Sequence, residues 1–515
     1  MTRARIVIVT GGADGIGWAT CRRFAAAGDL MVIADKNGPL AVSRAASLGH
    51  GHLGLCVDVS SEEDVKRLVA TCVEHFGRLD VLVNNAGVID TQATPVISQA
   101  AEDVRSLMGV NVTGVFLAAR EAGRVMLEQG RGAIINLASG AGLAAVPFRN
   151  GYGASKAAVA ALTRTLGCEW AARGVRVNAV APGYTRTEMV ERLIENGKVD
   201  PRLVERRVPL GRMARPDEIA EVIFFLASEA AAFLAGALVV ADGGFLAYGG
   251  AGPASTGGGS APADRVGPRV IAVTGAASGV GAAIARAFAA AGDHVLAIDR
   301  DVVALSAVSA GLGEGGLAVA ADVRRENYVN QALAQAGSRW GRIDVLVNGA
   351  GATETARPTL EQTRVAFDDN FDANLMGAYL AARAAQPWLA RRGGAIVNLA
   401  SIAGLAGWPP RNAYCASQAA LAMLTRSLAC EWASDGIRVN AVAAGPVETP
   451  RPAAHPIDQR SRDAIIKRTP IGRLGRAEEI AGVVRFLASG AASYLTGTIV
   501  TVDGGWSAYS GPADA

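Results

Sequence analysis

Arg5–Gly17 reads RIVIVTGGADGIG. A short β-branched run meets closely spaced glycines, and a helix-forming stretch follows. Such a break predicts a strand, a tight turn and a helix. The glycines allow the turn and let a pyrophosphate approach backbone N–H groups at a helix N-terminus. The same signal returns at Thr274–Gly281, TGAASGVG. Both stretches are spaced TGxxxGxG, not the GxGxxG of the commonest dinucleotide fingerprint.

The recurrence extends over the chain. Gly151–Gly183 and Ala413–Gly445 agree at 22 of 33 positions without a gap. Thr10 pairs with Thr274, Asp35 with Asp299, Asn111 with Asn374 and Asp242 with Asp503. The 515 residues exceed what one core normally organises. They divide into a first domain over 1–248, a linker over 249–268 and a second domain over 269–515. The linker, GGAGPASTGGGSAPADRVGP, lacks apolar periodicity and is expected to be a flexible coil.

In the first half, strand-like runs occupy Arg5–Thr10, Leu30–Asp35, Leu53–Val57, Leu79–Asn84, Ala133–Ala138, Val175–Val180 and Ala237–Val240. Segments long enough for crossover helices separate them, and Ser60-Ser61-Glu62-Glu63 opens one with a cap. Apolar strands alternating with helices predict an α/β fold: two tandem doubly wound parallel-sheet, Rossmann-type domains.

Composition narrows the function. Hydrophobic residues make up 50% and charged residues 19%, and net charge is only +3. No run of one sign favours nucleic acid or an anionic membrane. Val222–Ala241 is apolar but carries Glu229 and mixes two periodicities, so no membrane span is expected. The apolar run at the N-terminus is too short for a signal peptide. None of the six cysteines forms CxxC, and no Cys/His cluster has zinc spacing. Buried free thiols, no metal and a cytoplasmic location are expected.

Two constellations carry chemistry. Asp35 and Asp299 end the second strand of each half, 18 residues after Gly17 and Gly281. A carboxylate there accepts from ribose hydroxyls and repels a 2′-phosphate, favouring NAD over NADP. Lys36 and Arg300 follow directly and are able to accept a phosphate. Tyr152 and Lys156 share a helix face at i and i+4. A nearby ammonium is expected to lower the phenol pKa by up to ~3 units before desolvation acts.

TGxxxGIG, Asn84-Asn85-Ala86-Gly87, Asn111, Ser139, Tyr152-Gly153-Ala154-Ser155-Lys156 and Pro182-Gly183 occur in that order. Together they resemble the short-chain dehydrogenases/reductases, in the branch with subunits of about 250 residues, once per half. The resemblance implies Tyr152 as general acid/base and Lys156 as its electrostatic partner and ribose ligand. It implies Ser139 at the substrate oxygen and Asn111 at a relay water. The implied cofactor set is Gly11, Asp14, Gly15, Ile16, Gly17, Asp35, Asp58, Val59, Asn85, Ala86, Gly87, Tyr152, Lys156, Pro182, Gly183, Thr185 and Thr187. Asp58 and Val59 would flank adenine, and Thr187 would meet the carboxamide. The Asp242-Gly243-Gly244 turn reads as structural.

In the second half the implied catalytic set is Asn374, Ser401 and Tyr414, but position 418 is Gln. The implied cofactor set is Gly275, Ser278, Gly279, Val280, Gly281, Asp299, Asp322, Val323, Gly349, Ala350, Gly351, Tyr414, Gln418, Gly445, Val447 and Thr449. Gln418 can hydrogen-bond a ribose but carries no charge. Arg149 and Arg411 precede the tyrosines and are either carboxylate ligands or solvated loop residues. The expected function is NAD-dependent interconversion of a secondary alcohol and a ketone, mainly in the first half. The alternatives are a second half that only binds nucleotide or supports structure, and two active halves. A small alcohol or carbonyl compound is the expected partner. The resemblance also implies pairing through long helices, an internal pseudo-dimer, and a pseudo-tetramer of two chains.

Overall fold

The computed structural model describes residues 3–89, 99–146, 149–255, 257, 267–353, 356, 359–449 and 458–510. The first half runs β1 Ile6–Thr10, α1 Gly15–Ala26, β2 Leu30–Asp35, α2 Gly38–Leu48, β3 Leu53–Cys56, α3 Glu62–Phe76, β4 Val81–Asn84, α4 Ala101–Met108, α5 Gly114–Gln129, β5 Gly132–Leu137, α6 Asn150–Trp170, β6 Val175–Pro182, α7 Glu188–Glu195, α8 Pro201–Arg207, α9 Pro216–Leu226 and β7 Leu238–Ala241. The second runs β8 Val270–Thr274, α10 Gly279–Ala289, β9 His294–Asp299, α11 Val302–Ser309, β10 Gly316–Ala320, α12 Glu326–Trp340, β11 Val345–Asn348, α13 Arg364–Phe371, α14 Gly377–Leu389, β12 Ala395–Ser401, α15 Asn412–Glu431, β13 Arg438–Ala444, β14 Val447–Glu448, α16 Gln459–Arg468, β15 Gly475–Arg476, α17 Ala477–Leu487 and β16 Ile499–Val502.

The sheets are ordered β3-β2-β1-β4-β5-β6-β7 and β10-β9-β8-β11-β12-β13-β16, and every pairing is parallel. Strand order reverses between β1 and β4 and between β8 and β11. These are the switch points where a ligand crevice forms beyond the strand ends. The expected doubly wound fold is therefore present twice. Strand β1 is buried on both faces, which explains its unbroken IVIVT. The Ser61 side chain caps α3 by accepting from the Asp64 amide, 3.2 Å. The apolar Val222–Ala241 stretch splits between α9 and β7. Among the described residues no helix is long and apolar enough to cross a membrane.

The halves meet through α9, α17 and the last strands. Helix α9 buries Ile219, Val222, Ile223, Phe225 and Leu226. Phe225 stacks on its equivalent Phe486 with ring centroids 3.8 Å apart. One apolar core runs through both halves here, while α3 and α5, and α12 and α14, cover separate cores. Contact through the long helices was expected instead. Those helices leave Phe116, Tyr379 and Met423 exposed.

One further expectation, that of buried thiols, needs correction. Cys21 and Cys72 are buried, but Cys56 is exposed because it ends the edge strand β3. Part of the expected flexible linker lies outside the described residues. In its first stretch the Ala254 amide and the Ser255 hydroxyl donate to the carbonyls of Arg206 and Glu205, on α8.

Candidate active site

The glycine-rich turn is forced by contact. A Cβ on Gly17 would lie 2.0 Å from the Gly11 carbonyl oxygen, and Gly11 and Gly15 have φ of +59° and +53°. Asp14 caps α1 by accepting from the Gly15 amide at 2.6 Å. Ile16 packs into the core beside it. Thr10 Oγ1 accepts from the Asn85 and Ala86 amides, and Asn85 Nδ2 donates to the Thr10 and Gly11 carbonyls. Asn85 thus ties the turn to the end of β4.

Asp35 reaches the same turn. Its carboxylate accepts from the Ala13 amide at 3.1 Å and the Asn37 amide at 2.9 Å. Lys36 is engaged with Asp58 at 2.8 Å, which holds the Asp58 carboxyl down at about 2. Val59 packs where α5 begins, 2.9 Å from a Cβ placed on Gly114. At the far end Gly183 lies against Asp242, whose carboxylate accepts from the Gly244 and Leu246 amides. Thr185 bridges to Ala214, and Thr187 caps α7 through the Val190 amide.

The residues fit an extended dinucleotide. A Cβ on Gly15 would press the Thr187 methyl at 3.2 Å, and one on Gly87 would reach Asn111 Oδ1 at 3.3 Å and Lys156 Nζ at 3.5 Å. At both positions a side chain would press on the groups between the turn and Lys156. Among the described residues no cluster of three or more His, Cys, Asp or Glu has metal-binding geometry.

Helix α6 carries the candidate reacting groups, Tyr152 and Lys156. The Tyr152 phenol hydrogen-bonds the Ser139 side chain, and Ser139 Oγ accepts from the Ala141 amide. Lys156 is 5% exposed, donates to the Leu137 carbonyl at 2.8 Å, and lies 5.8 Å from the centre of the Tyr152 ring. Asn111 sits in a π-helical turn, Gly109–Thr113, that leads into α5. It exchanges hydrogen bonds with the Val88 backbone and donates to Ser155 Oγ, which donates to the Tyr152 carbonyl.

The electrostatics differ from the expectation. Burial raises the Tyr152 phenol, against the lowering effects of the Ser139 hydrogen bond and the Arg149 charge. Burial also lowers Lys156 to about 8. Desolvation is the largest effect on both groups, and the ammonium is turned toward Leu137. Arg149 acts on the phenol, so it belongs to this environment.

The second half repeats the frame. Gly275 and Gly279 have φ of +69° and +53°, and a Cβ on Gly281 would lie 2.0 Å from the Gly275 carbonyl oxygen. Ser278 precedes α10 without a side-chain cap, and Val280 packs into the core. Thr274 Oγ1 accepts from the Gly349 and Ala350 amides. Asp299 accepts from the Ala277 and Asp301 amides. Arg324 clasps Asp322, and Val323 packs at Gly377. Gly351 faces Asn374, which donates to Ser417 Oγ. Ser401 accepts from the Ala403 amide. Gly445 abuts Asp503, Val447 pairs with Gly475, and the Thr449 methyl lies near Gly279. Tyr414 begins α15 as Tyr152 begins α6. Gln418 is 4% exposed, and its Oε1 is buried with no hydrogen-bond partner.

The reading of motifs missed Ser155 and Ser417. Each links an asparagine to the backbone of the tyrosine. Their identity in the two repeats was the available signal. It also missed Arg212, Glu218, Ser493 and Tyr494, which join the halves behind this site.

A family model described as enoyl-(acyl carrier protein) reductase matches residues 11–246 and again 275–507. An uncharacterized short-chain type dehydrogenase/reductase of Sinorhizobium fredii (strain NBRC 101917 / NGR234) is 41% identical over 511 residues, covering 97% of this chain and 92% of that protein. Cis-4-hydroxycyclohexanecarboxylate dehydrogenase of Sinomonas cyclohexanicum is 42% identical over 245 residues, 47% of this chain and 97% of its own. D-threitol dehydrogenase of Mycolicibacterium smegmatis (strain ATCC 700084 / mc(2)155) is 38% identical over 244 residues, 47% of this chain and 92% of its own. The chain belongs to the short-chain dehydrogenase/reductase family and carries its fold in tandem, in keeping with an oxidoreductase.

Proposed function

We propose that residues 1–248 form an NAD-dependent dehydrogenase unit that interconverts a secondary alcohol and a ketone, and that residues 269–515 form a companion unit. The observation that carries this reading is the joint placement of Tyr152, Ser139, Lys156 and Asn111 at one strand end, with Gln418 replacing the lysine in the other half. NAD would supply the hydride acceptor. The Tyr152 phenol transfers the proton at the substrate oxygen, and Ser139 Oγ holds that oxygen. Lys156 binds the nicotinamide ribose. Asn111, through its hold on the Val88 backbone, orders a relay water. Asp35 selects NAD by repelling a 2′-phosphate.

A second reading concerns residues 269–515. The partnerless Oε1 of Gln418 suits a ribose hydroxyl donor, which favours a nucleotide-binding unit without turnover. Two active units are the alternative, and mutation of each tyrosine separates them. Six free cysteines support a cytoplasmic location. Exposed Phe116, Tyr379 and Met423 support pairing of two chains, which sedimentation tests. The experiment for the activity is a screen of alcohols with NAD, following absorbance of the reduced cofactor. It begins with cyclic hydroxy acids and four-carbon polyols, the compounds named for the half-length relatives. Failure of every secondary alcohol and ketone would refute the reading.

A further inference from the structure

The interface between the halves is symmetric in its backbone and asymmetric in its side chains. The Gly243 amide donates to the Tyr494 carbonyl at 3.1 Å, and the Gly504 amide donates to the Phe233 carbonyl at 3.0 Å. Each half also has a forked ion pair below its last helix. Arg212 meets Glu218 with two 2.7 Å hydrogen bonds, and Arg473 meets Glu479 at 2.8 and 2.7 Å. An aromatic ring from the opposite half covers each guanidinium: Tyr494 over Arg212 at 5.0 Å, Phe233 over Arg473 at 5.2 Å.

At the two positions beside these ion pairs, only the second half offers side-chain hydroxyl donors. Ser493 Oγ donates to Glu218 Oε1 at 2.7 Å, and the Tyr494 hydroxyl donates to the Arg212 carbonyl at 2.9 Å. The mirror positions are Ala232 and Phe233, which have no hydroxyl. The two ion pairs also differ in exposure: the Arg212 side chain is 11% exposed and that of Arg473 is 40%.

The braced segment leads to the cofactor cleft. Two residues beyond Arg212, the Ala214 amide donates to the Tyr184 carbonyl and the Arg186 amide donates to the Ala214 carbonyl, both at 2.9 Å. Thr185 and Thr187 lie on that strap, with the Thr187 methyl facing Gly15. We infer that Ser493 and Tyr494 are positioning residues for the first half's site: the second half holds the Arg212–Glu218 segment, and through it the Tyr184–Thr187 strap, without a return contact of the same kind. The inference takes from the proposed function only that this strap faces the nicotinamide end.

The test exchanges the donors for the residues that the fold already accepts at the mirror positions, Ser493→Ala with Tyr494→Phe in the full chain. Hydrogen–deuterium exchange is measured without cofactor. Residues 183–188 and 210–215 should exchange about tenfold faster, with residues 445–449 and 473–476 unchanged. Tyr494→Phe alone should give a smaller change in the same segments, and Ser493→Thr, which keeps a hydroxyl, should restore slow exchange at 210–215. NAD titration should show a several-fold higher KM with kcat retained. Unchanged exchange at 183–188, or equal acceleration in both halves, overturns the inference. A chain inactive with NAD but showing the exchange pattern would refute the proposed function and leave the brace standing.

Discussion

Lys156 and Gln418 occupy the same place in the two halves, and each is buried. The lysine donates a hydrogen bond to the Leu137 carbonyl, whereas the glutamine keeps an oxygen with no donor. The walls around them agree closely, since Asn111 with Ser155 and Asn374 with Ser417 form the same bridge. A site can therefore lose its cation and keep its architecture, because the architecture rests on backbone contacts and neutral hydrogen bonds. The proposed chemistry, by contrast, depends on the one charged group.

The strongest way to break this comparison is to remove each phenol. Tyr152→Phe is expected to lower kcat by about a thousandfold, and Tyr414→Phe by less than about twofold. Both are measured with one good substrate after folding is checked. Equal damage would mean that another group replaces the lysine in the second half. Next comes the cation itself. If its charge contributes about 3 kcal/mol, Lys156→Gln should slow turnover more than about a hundredfold. Gln418→Lys is the complementary substitution, and its effect would show how far two other exchanges, Gly349 for Asn85 and Ala444 for Pro182, alter the second site.

The comparison sharpens at the ion pairs. Glu218→Ala strands a buried guanidinium and should cost about 3 kcal/mol in denaturant unfolding. Glu479→Ala should cost clearly less, since water reaches Arg473. A smaller expected effect is cofactor choice. NAD should exceed NADP in kcat/KM by at least about tenfold, and Asp35→Asn should narrow that gap. Equal values in the unmodified chain would remove the role given to Asp35.

The smallest effect is in pH. Lys156 titrates at about 8 because it is buried, so its charge is complete well below that pH and lost above it. NAD binding followed by calorimetry should weaken several-fold across pH 8, and Lys156→Gln should remove that step. The stability sign is opposite. Between pH 8 and the ordinary lysine range the unfolded chain binds more protons, so folding is favoured as pH rises there.

Much of the fold was legible because local chemistry dictated it. Uninterrupted apolar runs became buried parallel strands, with ends shifted by a residue or two. Gly17 admits no side chain, so the turn was visible in its spacing. The Tyr152–Lys156 face was legible from helical period. Its electrostatics were not, since desolvation depends on what surrounds α6. The contact surface between the halves was misread for a similar reason: α9 looks like an ordinary covering helix until the second half is placed against it. Ser493 and Glu218 are 275 residues apart, and no local pattern announces their contact.

The crossed hydrogen bonds from Gly243 to Tyr494 and from Gly504 to Phe233 have a combinatorial consequence. Two separate chains with such matching surfaces would sort into a binomial mixture of like and unlike pairs. Pairs of the first half with itself would set Ala232 and Phe233 against the Arg212 segment, and both sites would lack a brace. Joining the halves in one chain replaces that lottery with a single outcome, insensitive to dilution because the encounter is intramolecular. Every molecule then presents Ser493 and Tyr494 to the half that carries Lys156.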